Sequence, residues 1–163
     1  AVKLDTNGSH PHMLEELIGK KQIDYVAMDI KNAPGKYQET TGLAVEGAYA
    51  EASDMAFPVK AVQQSVELLK NCTIPYEFRT TVVKEFHTQQ ELKEICVWIA
   101  GCSAYYLQQF EDSGQLIAEM EGSVEKHMIF HAYEEAEIKR IAEHLNHIPG
   151  MEGKVHLRGM NGE

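Results

Sequence analysis

The sequence predicts an α/β protein on a mostly parallel sheet, and three observations predict it. Short runs rich in β-branched and aromatic residues alternate with longer stretches of helical period along the 163 residues. The run from Tyr25 to Ile30 is nearly all apolar, as a strand buried on both faces must be. The connections between runs are long enough to hold a helix, and parallel neighbours need such right-handed crossovers. Counting the runs gives four or five strands, whereas a closed barrel of this class takes eight. The chain therefore reads as a small open sheet or a partial TIM-type (βα) barrel, organised as one domain over residues 1–163.

The elements follow in order. Val2-Lys3-Leu4 is extended and runs into Asp5-Thr6-Asn7-Gly8-Ser9, where Asn-Gly marks a tight turn. Pro11 to Lys20 is a helix with Met13, Leu14, Leu17 and Ile18 on one face and Ser9 as its expected cap. After the Tyr25–Ile30 strand, residues 32 to 52 carry Pro34, Gly35, Gly42 and Gly47 and read as a long irregular loop. Met55 to Lys70 returns to helical period, with Val59, Val62, Val66 and Leu69 aligned. Tyr76 to Val83 is the third strand. Thr88-Gln89-Gln90-Glu91 is a capping box opening a helix that Gly101 ends. Ala104 to Phe110 is the fourth strand, and 111–132 lacks a clear pattern. A helix from Tyr133 to His147 stops at Pro149-Gly150, and Val155 to Arg158 is a short last strand.

Composition excludes several classes. Formal charge is −10, with 15 basic against 25 acidic side chains, the opposite of a nucleic-acid footprint. No apolar run approaches the length of a bilayer span, and Ala1-Val2-Lys3-Leu4-Asp5 turns polar too soon for a signal peptide. No membrane or nucleic-acid partner is expected, and the chain reads as cytoplasmic. Its three cysteines, Cys72, Cys96 and Cys102, are odd in number and contain no C-x-x-C, which points to reduced structural thiols. His127 with His131 and His144 with His147 have helical spacing but no accompanying ligand motif, so all read as unliganded. There is no G-x-S-x-G, P-loop or G-x-G-x-x-G, which disfavours hydrolase, nucleotide-hydrolase and dinucleotide readings.

Chemistry is expected at the carboxyl ends of the strands, where parallel α/β proteins bind their ligands. Those ends carry Asp5-Thr6-Asn7-Gly8, Asp29-Ile30-Lys31, Arg79 in Tyr-Glu-Phe-Arg-Thr-Thr, and Gln108-Gln109. Alternation puts Val26, Met28 and Ile30 on one face of the second strand and Ala27, Asp29 and Lys31 on the other. Charges at such places are either paired with one another inside the barrel or turned to a solvated ligand cleft. Residue types alone leave both readings open.

Four segments carry a resemblance: Leu-Asp-Thr-Asn-Gly-Ser at 4–9, Asp-Tyr-Val-Ala-Met-Asp-Ile-Lys at 24–31, Tyr-Glu-Phe-Arg-Thr-Thr-Val-Val at 76–83 and Tyr-Leu-Gln-Gln-Phe at 106–110. In order and spacing they resemble the activating proteins of anaerobic ribonucleoside-triphosphate reductase and, more loosely, the pyruvate formate-lyase activating enzymes. The resemblance implies the C-terminal half of a radical S-adenosylmethionine (βα)6 partial barrel. It implies S-adenosylmethionine and a [4Fe–4S] cluster as cofactors of the full-length oxidoreductase, a glycyl-radical enzyme as partner, and flavodoxin or ferredoxin as reductant. By position, Asp5 and Asp29 would lie near the methionine carboxylate, directly or through a cation, with Thr6 beside them. Lys31 and Arg79 would contact the carboxylate or ribose, and Gln109 falls where formate-lyase activators have a histidine.

One departure qualifies the resemblance. The family's C-x-x-x-C-x-x-C loop and the Gly-Gly-Glu that follows it lie upstream of the matched segments and are absent from these residues. Cys72, Cys96 and Cys102 have the wrong spacing to replace them. No catalytic residue and no metal ligand is thus expected within the chain, and alone it is expected to be inactive, to expose apolar barrel lining and to self-associate. Two other readings stay open at this point. One is a non-catalytic half-barrel that pairs with a separate cluster-bearing chain. The other is a (βα) fragment that uses Lys31 and Arg79 for a phosphorylated ligand.

Overall fold

The structure, a computed structural model, describes residues 1–41, 59–111 and 130–159. Within them five strands form one sheet: β1 (Lys3–Thr6), β2 (Tyr25–Asp29), β3 (Tyr76–Val82), β4 (Tyr105–Gln109) and β5 (Val155–Arg158). Strand order in space is β1-β2-β3-β4-β5, the order of the sequence, and every pairing is parallel. Each strand therefore returns beside its predecessor. Right-handed crossovers of that kind lay all the connecting helices on the same side of the sheet, as in a sector cut from a barrel.

The helices are α1 (Pro11–Gly19), a short 3₁₀ turn (Pro34–Lys36) leading into α2 (Tyr37–Thr40), α3 (Val59–Lys70), α4 (Gln89–Ile99) and α5 (Glu135–Leu145). Helix α4 starts where the capping box predicts. The Glu91 N–H donates to the Thr88 hydroxyl at 3.5 Å, and the Thr88 N–H donates to the Glu91 carboxylate at 3.0 Å. Helix α1 begins at Pro11, whose fixed φ suits a first turn, but Ser9 is not its cap. The Ser9 hydroxyl instead donates to Asn7 Oδ1 at 2.7 Å, because the Asn7 turn claims it first.

Alternation divides the sheet into two unlike faces. Val26, Met28, Phe78, Tyr105, Leu107 and Val155 share the side under the helices and pack with Leu14, Val62, Val66, Leu69, Leu92, Ile95 and Ile138 into one core. The opposite side carries Lys3, Asp5, Tyr25, Asp29, Glu77, Arg79, Thr81, Tyr106, Gln108, His156 and Arg158. This corrects the expected apolar lining: among the described residues, the face opposite the helices is mainly charged and polar, with Ala27 as its small apolar member. Residues 42–58 and 112–129, which hold the start of the expected Met55 helix, part of the 32–52 loop and His127, lie outside the described residues.

The turn after β1 is fixed by Gly8. Its φ of +75° belongs to the left-handed region, and a Cβ there would stand 2.1 Å from the end of the Met28 side chain. The Gly8 carbonyl accepts from the buried Ser65 hydroxyl at 2.8 Å, tying the carboxyl end of β1 to α3.

Candidate functional site

Arg79 is the centre of a charged quartet on the helix-free face. It stands on β3 directly beside Asp29 of β2, and its Nε and Nη2 each approach Asp29 Oδ1 at 2.9 Å. Its Nη1 reaches one strand further, to Asp5 Oδ1 on β1 at 2.6 Å. Lys31 lies two residues beyond Asp29 on the same face, and its Nζ meets Asp29 Oδ2 at 3.2 Å. Arg79 must cross β2 to reach Asp5. The β2 residue level with Asp5 is Ala27, whose methyl side chain is fully buried.

The quartet couples two cations to two anions, so each charge is compensated without full burial. The Arg79 side chain is 16% exposed, while those of Asp5 and Lys31 are 57% and 45% exposed. That gradient leaves one wall of the cluster open to solvent. A planar guanidinium suits two carboxylates at once, and a lysine ammonium adds a mobile point charge. The arrangement offers acceptors and donors side by side, the pattern a zwitterionic ligand needs.

The backbone around Lys31 is held on both sides. The Lys31 N–H donates to the Tyr37 hydroxyl at 3.1 Å, and the Lys31 carbonyl lies 2.7 Å from His87 Nε2. The carboxamide of Asn32, 1% exposed, donates to Thr40 Oγ1 and to the Phe86 carbonyl, both at 2.8 Å. Thr80 Oγ1 donates to the Ile30 carbonyl at 2.8 Å and accepts from the Tyr105 hydroxyl at 2.8 Å. These bonds fasten the segment after β2 to the segment after β3.

A second cluster sits nearer the amino ends of the strands. Glu77, 3% exposed, takes both Arg158 nitrogens, Nη1 at 2.8 Å and Nη2 at 3.1 Å, and the Tyr25 hydroxyl at 2.9 Å. Lys3 Nζ stands 3.7 Å away, and Arg158 lies 3.8 Å above the centre of the Tyr106 ring. The Arg158 pair holds the Glu77 carboxyl down at about 2, against the opposing effect of burial. Burial, with Glu77 next, pushes the Tyr25 phenol up to about 12.

Of the residues singled out in the sequence, Asp5, Asp29, Lys31 and Arg79 meet in one place. Thr6 and Gln109 belong to the other parity: Thr6 pairs with Met28 and Gln109 with Val82, on the helix side. The Thr6 hydroxyl accepts the Gly8 N–H at 3.1 Å, while Gln108 shares the charged face with Arg158. Sequence reasoning passed over Ala27, Glu77, His87 and Arg158. Glu77 stands two residues before Arg79, so period-two alternation alone could have found it.

The thiols do not suit a metal cluster. Burial pushes Cys96 up to about 12 and Cys102 up to about 11, whereas a ligating cysteine must be a thiolate. Among the described residues no group of three or more His, Cys, Asp or Glu is placed to hold a metal ion. Among them, too, no helix is long and apolar enough to cross a membrane.

Comparison with known proteins gives two findings. Over 110 residues, 68% of this chain, it is 34% identical to a protein of Methanocaldococcus jannaschii named as a glycyl-radical enzyme activating enzyme. The matched stretch spans 42% of that relative's length. The fold is similar to the crystal structure of a domain of pyruvate-formate lyase-activating enzyme from Bacteroides vulgatus, with TM-score 0.58 and 12% identity, over 96% of this chain and 80% of that one. No protein-family model matches.

Proposed function

We propose that this chain is part of a glycyl-radical-enzyme activating enzyme, a single-domain sector of a radical S-adenosylmethionine barrel. In this reading it supplies the wall that binds the amino-acid end of S-adenosylmethionine. The observation that carries the reading is the convergence of Asp5, Asp29, Lys31 and Arg79 from three adjacent strands, at the level where β2 ends. An amino-acid moiety carries one ammonium and one carboxylate. The Asp5 and Asp29 oxygens suit the first, and Lys31 Nζ and the Arg79 guanidinium suit the second.

In the whole enzyme, S-adenosylmethionine together with a [4Fe–4S] cluster would supply the radical chemistry that activates the partner glycyl-radical enzyme. The residues described here do not fit the cluster, so no step is assigned to them through it. Their part is to bind and orient. Arg79, braced against Asp29 through Nε and Nη2, presents a fixed cation. Lys31, nearly half exposed, is free to exchange its Asp29 contact for a ligand carboxylate. The full-length protein, working in the cytoplasm with flavodoxin or ferredoxin as electron donor, completes this reading.

A second reading has its own support. The four charges are mutually satisfied, as in an ion-pair lattice whose work is to hold the strands. Calorimetric titration of the full-length protein with S-adenosylmethionine separates the two. Lys31→Ala and Arg79→Ala are each expected to weaken binding about tenfold or more, the loss of one hydrogen bond between charged groups. Far-UV circular dichroism should stay unchanged. Unaltered affinity together with a lowered melting temperature would leave the lattice reading standing.

A further inference from the structure

His87 is a buried titratable group that the binding quartet does not use. It lies on the segment between β3 and α4, 3% exposed, and among the described residues no carboxylate is bonded to its ring. Its two ring nitrogens have unequal partners. Nδ1 faces the Val83 N–H at 3.1 Å and must accept, so the ring proton is on Nε2, which donates to the Lys31 carbonyl at 2.7 Å. Burial lowers the imidazole's affinity for a second proton, in keeping with a ring that stays neutral. The surrounding backbone is fixed as well: the His87 N–H donates to the Val83 carbonyl at 2.9 Å, and the His87 carbonyl accepts from the Tyr133 hydroxyl at 2.8 Å.

What this ring holds is significant because Lys31 lies past the end of β2. The strand stops at Asp29, and the Ile30 N–H makes its bond to the Arg79 carbonyl at 2.7 Å. One residue on, the strand ladder no longer fixes the peptide that carries Lys31. Tyr37 holds the Lys31 N–H at 3.1 Å and the His87 ring holds its carbonyl at 2.7 Å, and releasing the carbonyl would let the long side chain spread its ammonium over more positions. We propose that His87 is a positioning residue. As the Nε2–H tautomer it latches the Lys31 carbonyl to the end of β3, so that the Lys31 ammonium and the Arg79 guanidinium share the Asp29 carboxylate. The proposal rests on the binding reading above for its functional meaning, but the latch itself is testable without ligand.

Two substitutions divide the ring's bonds. The amide of Gln reaches about as far as Nε2, and that of Asn about as far as Nδ1. His87→Gln therefore keeps the donor to Lys31, and His87→Asn loses it while keeping the acceptor for Val83. The first measurement is made on this chain, reductively ¹³C-methylated on its lysines, which keeps their charge. The Lys31 dimethylammonium signal is assigned by its disappearance in Lys31→Arg. In His87→Asn it should move to the position of solvated lysines, and in His87→Gln it should stay. The second measurement is S-adenosylmethionine affinity in the full-length protein. His87→Asn should weaken it about tenfold, His87→Gln should restore it, and His87→Asn in a Lys31→Ala background should add nothing, as for residues coupled through one network. An unmoved Lys31 signal in His87→Asn overturns the latch, as does an equal displacement in both variants. If Lys31→Ala itself leaves affinity unchanged, the binding reading fails, while the ligand-free signal still judges the latch.

Discussion

Replacing Glu77 with Gln tests whether the helix-free face is held by charge. The substitution keeps size and shape and removes one negative charge from a carboxyl that is 3% exposed. In the folded protein the Arg158 pair holds that carboxyl at about 2, against an ordinary value of 4.5. A depressed folded-state value means the stabilisation is complete above the ordinary value and is lost as pH falls from about 4.5 towards 2. By linkage it amounts to about 3 kcal/mol at neutral pH. The amide retains one acceptor for Arg158 or Tyr25, so Glu77→Gln should lower stability by about 2 kcal/mol. Urea denaturation at pH 7 should show this as a midpoint lower by about 1 M. Repeated at falling pH, the gap between native protein and variant should narrow steadily below about 4.5 and close only below about 2, where the Glu77 carboxyl becomes neutral in the folded protein as well. Arg158→Met should cost more than Glu77→Gln, roughly 3–5 kcal/mol, because it strands a buried carboxylate. The double variant should cost less than the two single ones together. A gap that is as wide at pH 2 as at pH 7 would refute the electrostatic account and assign the loss to packing.

Two further outcomes follow from the geometry. Gly8→Ala forces a Cβ into a left-handed turn and against Met28. It should destabilise by about 2 kcal/mol, and calorimetry should register a melting temperature lower by roughly 4–8 °C; an unchanged midpoint would mean the turn relaxes freely. Ala27→Leu places a branched side chain on the path from Arg79 to Asp5. It should weaken S-adenosylmethionine binding by the full-length protein several-fold beyond what its effect on stability accounts for, and normal affinity in a merely less stable protein would separate the Asp5 contact from binding.

The parts legible in the sequence are those whose physics is local. The apolar run at 25–30, the capping box at Thr88 and the Asn-Gly turn each announce themselves within a few residues, and β2, α4 and the turn after β1 lie where they point. Asp29 and Arg79 were visible as charges on strands, and the parallel register makes them neighbours. Helix α2, four residues after Pro34-Gly35, is too short to show a period. The Glu77–Arg158 pair spans β3 to β5, so finding it requires strand order and register together. Within its own segment the His87 ring has only Val83 as a described hydrogen-bond partner, and its bond to Lys31 comes from 56 residues away in sequence. Ser9 shows the reverse error: a good capping residue was already engaged by the turn before it. Thr6 and Gln109 are a matter of parity, since one residue along a strand exchanges one face for the other.

The agreement between strand order and chain order also bears on assembly. Each of the described strands after β1 pairs with the one made just before it, so none of these four pairings waits for a later segment. The sheet can grow by accretion, every new strand–helix step closing a loop against an edge already in place, which keeps loop-closure entropy small at each stage. Glu77 then acts as a late fastening. Its partners Lys3 and Tyr25 are present once β3 docks, but Arg158 arrives with β5, so that pair can form only when β3, β4 and β5 are in register.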